Sequence, residues 1–263
     1  MRSTVSSYRN AIGVFAYWSN LEVWFASMRA EDLEGFTVND KGRQRLQRTV
    51  SKARANDPNR AVAKFTEVVD GRRQFRDDPP LLHRVETFYS AADPDQIGEA
   101  LHRFLVDYLL TLPDDVQLLM SRYRVFDEAL KVVGVGSVGT RCYILLGEGR
   151  DAEDLMLLQV KEADTSVLAP WWESSAFSNE GERVVQGQRI MQAASDPFLG
   201  WAQMGSQYYY LRQFRVMKGS VDLSEIPRGG ASCYLSLCGW TLARAHACSG
   251  DAVAISAYFA TTD

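Results

Sequence analysis

No stretch of this sequence is apolar for the roughly 20 residues needed to span a bilayer. The opening "MRSTVSSYRN" lacks the apolar core of a secretory signal, so a cytoplasmic location is expected. Histidine is scarce, with only His83, His102 and His246, far apart in the chain. The four cysteines, at 142, 233, 238 and 248, form no C-x-x-C pair and have no histidine at zinc spacing. Buried free thiols in a reducing compartment are therefore expected. No large excess of one charge exists either: 29 Lys+Arg against 33 Asp+Glu give a net charge of −4. That balance exerts no global pull on nucleic acid or anionic lipid.

The residues present read as a mixed protein. Residues 4–28 form an aromatic-rich helical stretch, expected to be mostly buried or packed against a partner. Residues 40–60 form a polar helix with seven Lys/Arg against two Asp. A solvated face is the common reading of such a helix, and a phosphate or nucleic-acid contact is the alternative. Breakers at Asp70-Gly71 and Pro79-Pro80 divide 64–86 into short β-prone runs. Helices are expected over 94–112 and about 114–129, each opened by proline and acids. From residue 130 three apolar runs follow, "ALKVVGVG", "TRCYILLGEG" and "LMLLQVKEA". A helix at about 179–195, a hairpin turning near Gly205-Ser206 and a long helix after Gly229 complete the pattern.

Within this pattern, "KVVGVGSVGTRCYILL" (131–146) carries a G-x-G-x-x-G at Gly134, Gly136 and Gly139, with Ser137 inside it. A dinucleotide fingerprint requires a helix directly after the last glycine, because the pyrophosphate rests on its N-terminus. Here Thr-Arg-Cys-Tyr-Ile-Leu-Leu follows, which is strand material. That excludes the dinucleotide reading and leaves two. One is a kinase-type glycine hairpin over a triphosphate. The other is a plain hairpin beside a surface lysine.

The kinase-type reading needs a lysine on the third strand, and Lys161 stands there, 22 residues past Gly139. Burying an ammonium without compensation costs several kcal/mol, about 5 as an order of magnitude, so a lysine among Leu157, Leu158 and Val160 is either turned outward or held for a purpose. Glu182 is the candidate partner on the following helix. It also has capping-box spacing from Asn179, and that local role is favoured. Gln213, with Arg215 after it, would lie on the strand holding an adenine edge. The acids of phosphoryl transfer are missing: Asp251 is followed five residues later by Ser256, not Asn, and suits a helix cap.

The long stretches "KVVGVGSVGTRCYILL", "LQVKEA", "RVVQGQRIMQAASDPFLGW", "YYYLRQFRVMKGS" and "CGWTLARAHACSGD", with "NLEVWFA" and "TEVVDGRRQFRDDPPLL", resemble the bacterial family catalogued as domain of unknown function 2252. The resemblance spans nearly the whole chain, and no established activity comes with it. Family members usually carry further segments, G-D-A-H-x-x-N-F-G and D-I-N-D-F-D, upstream. Those resemble the catalytic loop and metal-binding acids of aminoglycoside-phosphotransferase-like kinases. The resemblance thus implies a kinase-like protein in permuted order, and a chain truncated at both ends.

The expected fold is α+β, a kinase-like small-lobe sheet with a Gly-rich hairpin at about 130–215, packed with surrounding helices. The expected domains are a mainly helical region at 1–129 with the β-prone insertion at 64–86, a nucleotide-binding lobe at 130–222, and C-terminal helices at 223–263. The complete protein would use ATP and Mg²⁺ and an unknown small-molecule or protein acceptor, with this chain inactive alone. The contrasting expectation is a non-catalytic binding protein working through the basic 40–60 helix.

Overall fold

The computed structural model describes residues 1–28, 43–44, 47–48, 50–51, 58–85, 94–132, 139–171, 173, 175–214 and 228–260. The fold is α+β, with antiparallel sheets. The chain divides into two compact units, one of Met1–Ala55, Gln188–Ala194 and Met217–Asp263, the other of Asn56–Gly187 and Ser195–Val216.

The second unit is built on a sheet of six strands: β3 (Leu82–Arg84), β4 (Arg124–Lys131), β5 (Cys142–Glu148), β6 (Leu155–Ala163), β7 (Gly200–Met204) and β8 (Gln207–Gln213). Their order across the sheet is β3-β4-β5-β6-β8-β7, every neighbouring pair antiparallel. Strand alternation sorts the side chains onto two faces. One face carries Leu145, Met156, Leu158, Val160 and Leu211 against α4 (Pro94–Leu109) and α5 (Asp114–Met120), through Phe104, Tyr108, Val116 and Met120. The other carries Ala129, Ile144, Leu146 and Leu157 against α3 (Pro58–Phe65) and Phe75 of the separate hairpin of β1 (Thr66–Val69) and β2 (Arg72–Phe75). Covering both faces explains why β5 and β6 read as near-continuous apolar runs.

The hairpin expected at Gly205-Ser206 is present, with Gly205 at φ 60° joining β7 to β8. The expected helix over 114–129 is corrected. It ends at Met120, and β4 begins at Arg124. Val125, Asp127 and Ala129 find ladder partners on β5, and that pairing outweighs the helix-compatible composition of the segment.

In the first unit the aromatic stretch is two helices, α1 (Arg2–Phe15) and α2 (Asn20–Phe25), not one. Ser19 interrupts them: its hydroxyl accepts from the Glu22 N–H while the Glu22 carboxylate accepts from the Ser19 N–H, a complete capping box. Ile12, Phe15 and Val23 pack with Ala243 of α7 (Arg228–Ser249), whereas Tyr17 is 93% and Phe25 76% exposed. Asp251 caps the last helix, α8 (Ala252–Ala260), by accepting from the Val253 and Ala254 N–H groups. All four thiols are free, but only Cys142 is buried and Cys238 is exposed, which corrects the expectation of four buried cysteines.

Candidate functional site

The ladder register sets Lys161 opposite Cys142, three residues after Gly139. Within the second unit, β4 and β5 are antiparallel neighbours joined through residues 132–141, and Gly139 sits at φ 89° near the end of that connection. Gly134, Gly136 and Ser137 lie outside the described residues. Three residues after Gly139, Cys142 opens β5, and Lys161 of β6 is its direct partner across the ladder. Tyr210 of β8 faces Lys161 in turn. Directly paired residues share a face, so Cys142, Lys161 and Tyr210 form one row across the sheet.

The next row on that face holds Ile144, Gln159 and Arg212. Gln159 is buried, at 7% exposure, and both ends of its amide are engaged. Its Nε2 donates to the Cys142 Sγ at 3.4 Å, and its Oε1 accepts from Arg212 Nε at 3.0 Å and Nη2 at 2.9 Å. Burial pushes the Cys142 thiol above its ordinary pKa, against the lowering effects of the Gln159 bond and of Lys161, Lys131 and Arg212. The charges acting on that sulfur are thus all cationic, while the thiol itself stays neutral.

Glu162, the acid next to Lys161, is turned to the opposite face by alternation. There its carboxylate accepts from the Arg141 N–H at 2.8 Å and lies 3.7 Å from Arg141 Nε. Lys131, at the end of β4, has its ammonium 5.2 Å from the Phe65 ring centroid and donates to the Val132 carbonyl at 3.4 Å. A 460 Å³ cavity runs from Lys131 and Leu82 past Phe65 to Lys64, Arg76 and Asp78. Lys161 does not line it.

The helix after β6, α6 (Glu180–Met191), closes on the sheet at its first turn. A Cβ on Gly181 would stand 2.3 Å from the Tyr209 carbonyl oxygen, so only glycine permits this approach. Arg183 donates through Nη2 to the Asp164 carbonyl at 2.8 Å and pairs with Glu180. Glu182 is half-buried on this turn, and its N–H donates to Asn179 Oδ1 at 3.1 Å, the capping bond expected from the spacing. Gln213 ends β8 opposite Leu158, on the face away from Lys161, and its N–H donates to Asp196 Oδ2 at 3.0 Å. Arg215 lies outside the described residues.

The sequence reading missed Arg212, Gln159 and Asp196. The i, i+2 spacing of Gln159 and Lys161 announced a shared face, but the register that sets Arg212 opposite Gln159 is a long-range fact with no local signature. Most of the basic 40–60 segment lies outside the described residues.

An α+β fold built on antiparallel sheets defines the class of protein. The particular family follows from comparison: the family described as "Uncharacterized protein conserved in bacteria (DUF2252)" matches residues 1–263, and the chain belongs to it. No curated protein and no solved structure matches the chain. Among the described residues no helix is long and apolar enough to cross a membrane.

Proposed function

We propose that this chain is a kinase-like ATP- and phosphate-binding module. The observation that carries this reading is the pairing of Lys161 with Cys142, which puts a lysine on the strand beside the one that begins three residues after Gly139. The sequential plan supports it too. A hairpin spanning the glycines is followed by the lysine strand, a helix, and a second hairpin whose later strand returns beside the lysine strand. That is the layout in which a kinase-type lobe covers and neutralises a triphosphate. Glycines at 134, 136 and 139 supply the close backbone approach that phosphates require.

The residues of this chain bind rather than transfer. Lys161 neutralises phosphate oxygens, the glycine turn encloses them, and no Asp-x₄-Asn pair follows in the sequence read above. Glu182 serves the cap of α6, with pairing to Lys161 as its further role on this reading. Gln213 belongs to the strand that would flank the base. Among the described residues no three His, Cys, Asp or Glu side chains gather for a metal ion. Mg²⁺ would enter with the phosphates of the nucleotide, and no step here depends on it. Transfer to a small-molecule or protein acceptor would be the work of the complete catalytic set.

The test is calorimetric titration of ATP into the chain and into Lys161→Ala and Gly136→Val variants. Binding in the micromolar to low-millimolar range, weakened about tenfold in each variant (about 1.4 kcal/mol), supports the reading. Absence of heat with a cooperatively folded chain overturns it.

A further inference from the structure

Arg212 has no place in the kinase-type layout, yet it is fixed on the same face as Lys161. Lys161 pairs with Tyr210, and Arg212 is two residues along β8, so the two cations are diagonal neighbours about 7–8 Å apart at the backbone. A surface arginine ordinarily samples many rotamers. This one is held by two N–H bonds to a single buried acceptor, Gln159 Oε1, at 3.0 and 2.9 Å. The acceptor is an amide, so it orients the guanidinium without cancelling its charge. Gln159 is itself anchored through its other end to Cys142.

A carboxylate at 159 would have bonded Arg212 more strongly and neutralised it. Glu162, the acid beside the site in sequence, is turned to the other face and engaged by Arg141. Among the described residues no carboxylate pairs with Arg212, so this face keeps a second positive charge two residues along β8 from the position opposite Lys161. Two cationic residues along one face match an anion with its own charges in series better than a compact monoanion.

We propose that Arg212, oriented by Gln159, is a second anion-binding residue of this site, and that the ligand is an oligophosphate contacted at two phosphoryl groups, one near Lys161 and one near Arg212. The proposal rests on the phosphate-binding reading above. Arg212 touches the ligand on this account, whereas Gln159 is a positioning residue.

The experiment measures dissociation constants for inorganic phosphate, pyrophosphate, tripolyphosphate and ATP with the parent, Arg212→Gln, Arg212→Lys, Gln159→Glu and Lys161→Ala chains, each first shown to unfold cooperatively near the parent's melting temperature. The parent should bind tripolyphosphate at least about tenfold more tightly than phosphate. Arg212→Gln and Gln159→Glu should each weaken tripolyphosphate and ATP about tenfold and phosphate less than about threefold, which flattens the dependence on chain length. Arg212→Lys keeps the charge but not the paired N–H bonds to Gln159, and should recover part of the loss, an outcome that a merely structural role for Arg212 would not produce. Should Arg212→Gln fail to fold, the Lys and Gln159→Glu variants carry the comparison.

Loss of binding in Lys161→Ala with unchanged affinities in Arg212→Gln and Gln159→Glu overturns the role of Arg212 and leaves the phosphate-binding reading standing. Equal affinity of the parent for phosphate and tripolyphosphate overturns the oligophosphate class alone. No binding of tripolyphosphate or ATP to a folded parent overturns both.

Discussion

Lys161 stands directly across the β5–β6 ladder from Cys142, three residues beyond Gly139. This one register relation sets a lysine in an apolar strand beside the strand that begins three residues after Gly139. It also answers why the lysine is tolerated there. Its row of the sheet face continues into Tyr210 and lies beside Gln159 and Arg212, so on this face the strand is apolar at Leu157, toward α3, and polar at Gln159 and Lys161.

The two glycines of α6 should respond to alanine with opposite signs. At Gly181 a Cβ meets the Tyr209 carbonyl at 2.3 Å, whereas at Gly187 nothing lies within 4 Å. Gly181→Ala should lower stability by about 1–3 kcal/mol through overpacking. Gly187→Ala should raise it by about 0.5–1 kcal/mol through helix propensity. Urea unfolding measures both as shifts of the midpoint at constant slope.

Gly139 adopts φ 89° with open space around its Cα, so a side chain there meets backbone strain and no clash. Gly139→Val should destabilise by at least about 1 kcal/mol, the scale of the left-handed penalty. Gly139→Asn should cost less than Val, since Asn visits that region more readily. Parallel denaturation curves of the two variants check the order.

Asp154 accepts bonds from the Arg150 N–H at 3.0 Å and from the Tyr123 hydroxyl at 2.8 Å, and these, the backbone bond first, hold its carboxyl below the usual carboxylate range. A depressed folded-state pKa stabilises the fold above the unfolded-state value, and that stabilisation is lost as pH falls through the folded value. Tyr123→Phe should raise the Asp154 midpoint toward the ordinary value and reduce the loss of stability on acidification. An NMR titration of the Asp154 carboxyl carbon reads the midpoint directly.

Cys142 is 1% exposed and its thiol is pushed up by burial, while Cys238 is exposed. Iodoacetamide at pH 8 should therefore label Cys238 well before Cys142, and Cys142 only on unfolding. Mass-spectrometric mapping of alkylation over time gives the order.

Much of this architecture was legible in the sequence because its signals are local. Asp70-Gly71 and Gly205-Ser206 marked their turns, Asn179 and Asp251 marked their helix starts, and the apolar runs at 142–148 and 155–163 marked central strands. What stayed hidden depends on partners distant in the chain. The 124–131 segment is strand because β5 lies beside it, and the role of Arg212 depends on its placement opposite Gln159, 53 residues away. Ser19 was readable as a capping residue, and the break in the aromatic helix could have been taken from the S-x-x-E spacing of Ser19 and Glu22.

The most direct measurement is lysine footprinting by mass spectrometry, with and without ATP at saturating concentration. Occupation of the face that carries Lys161 and Arg212 should slow acylation of Lys161 at least about fivefold, by analogy with a ligand-shielded amine at high occupancy, and leave exposed Lys64 unchanged. Protection confined to Lys41 and Lys52 of the basic 40–60 segment, or no protection anywhere in a folded chain, would contradict the account.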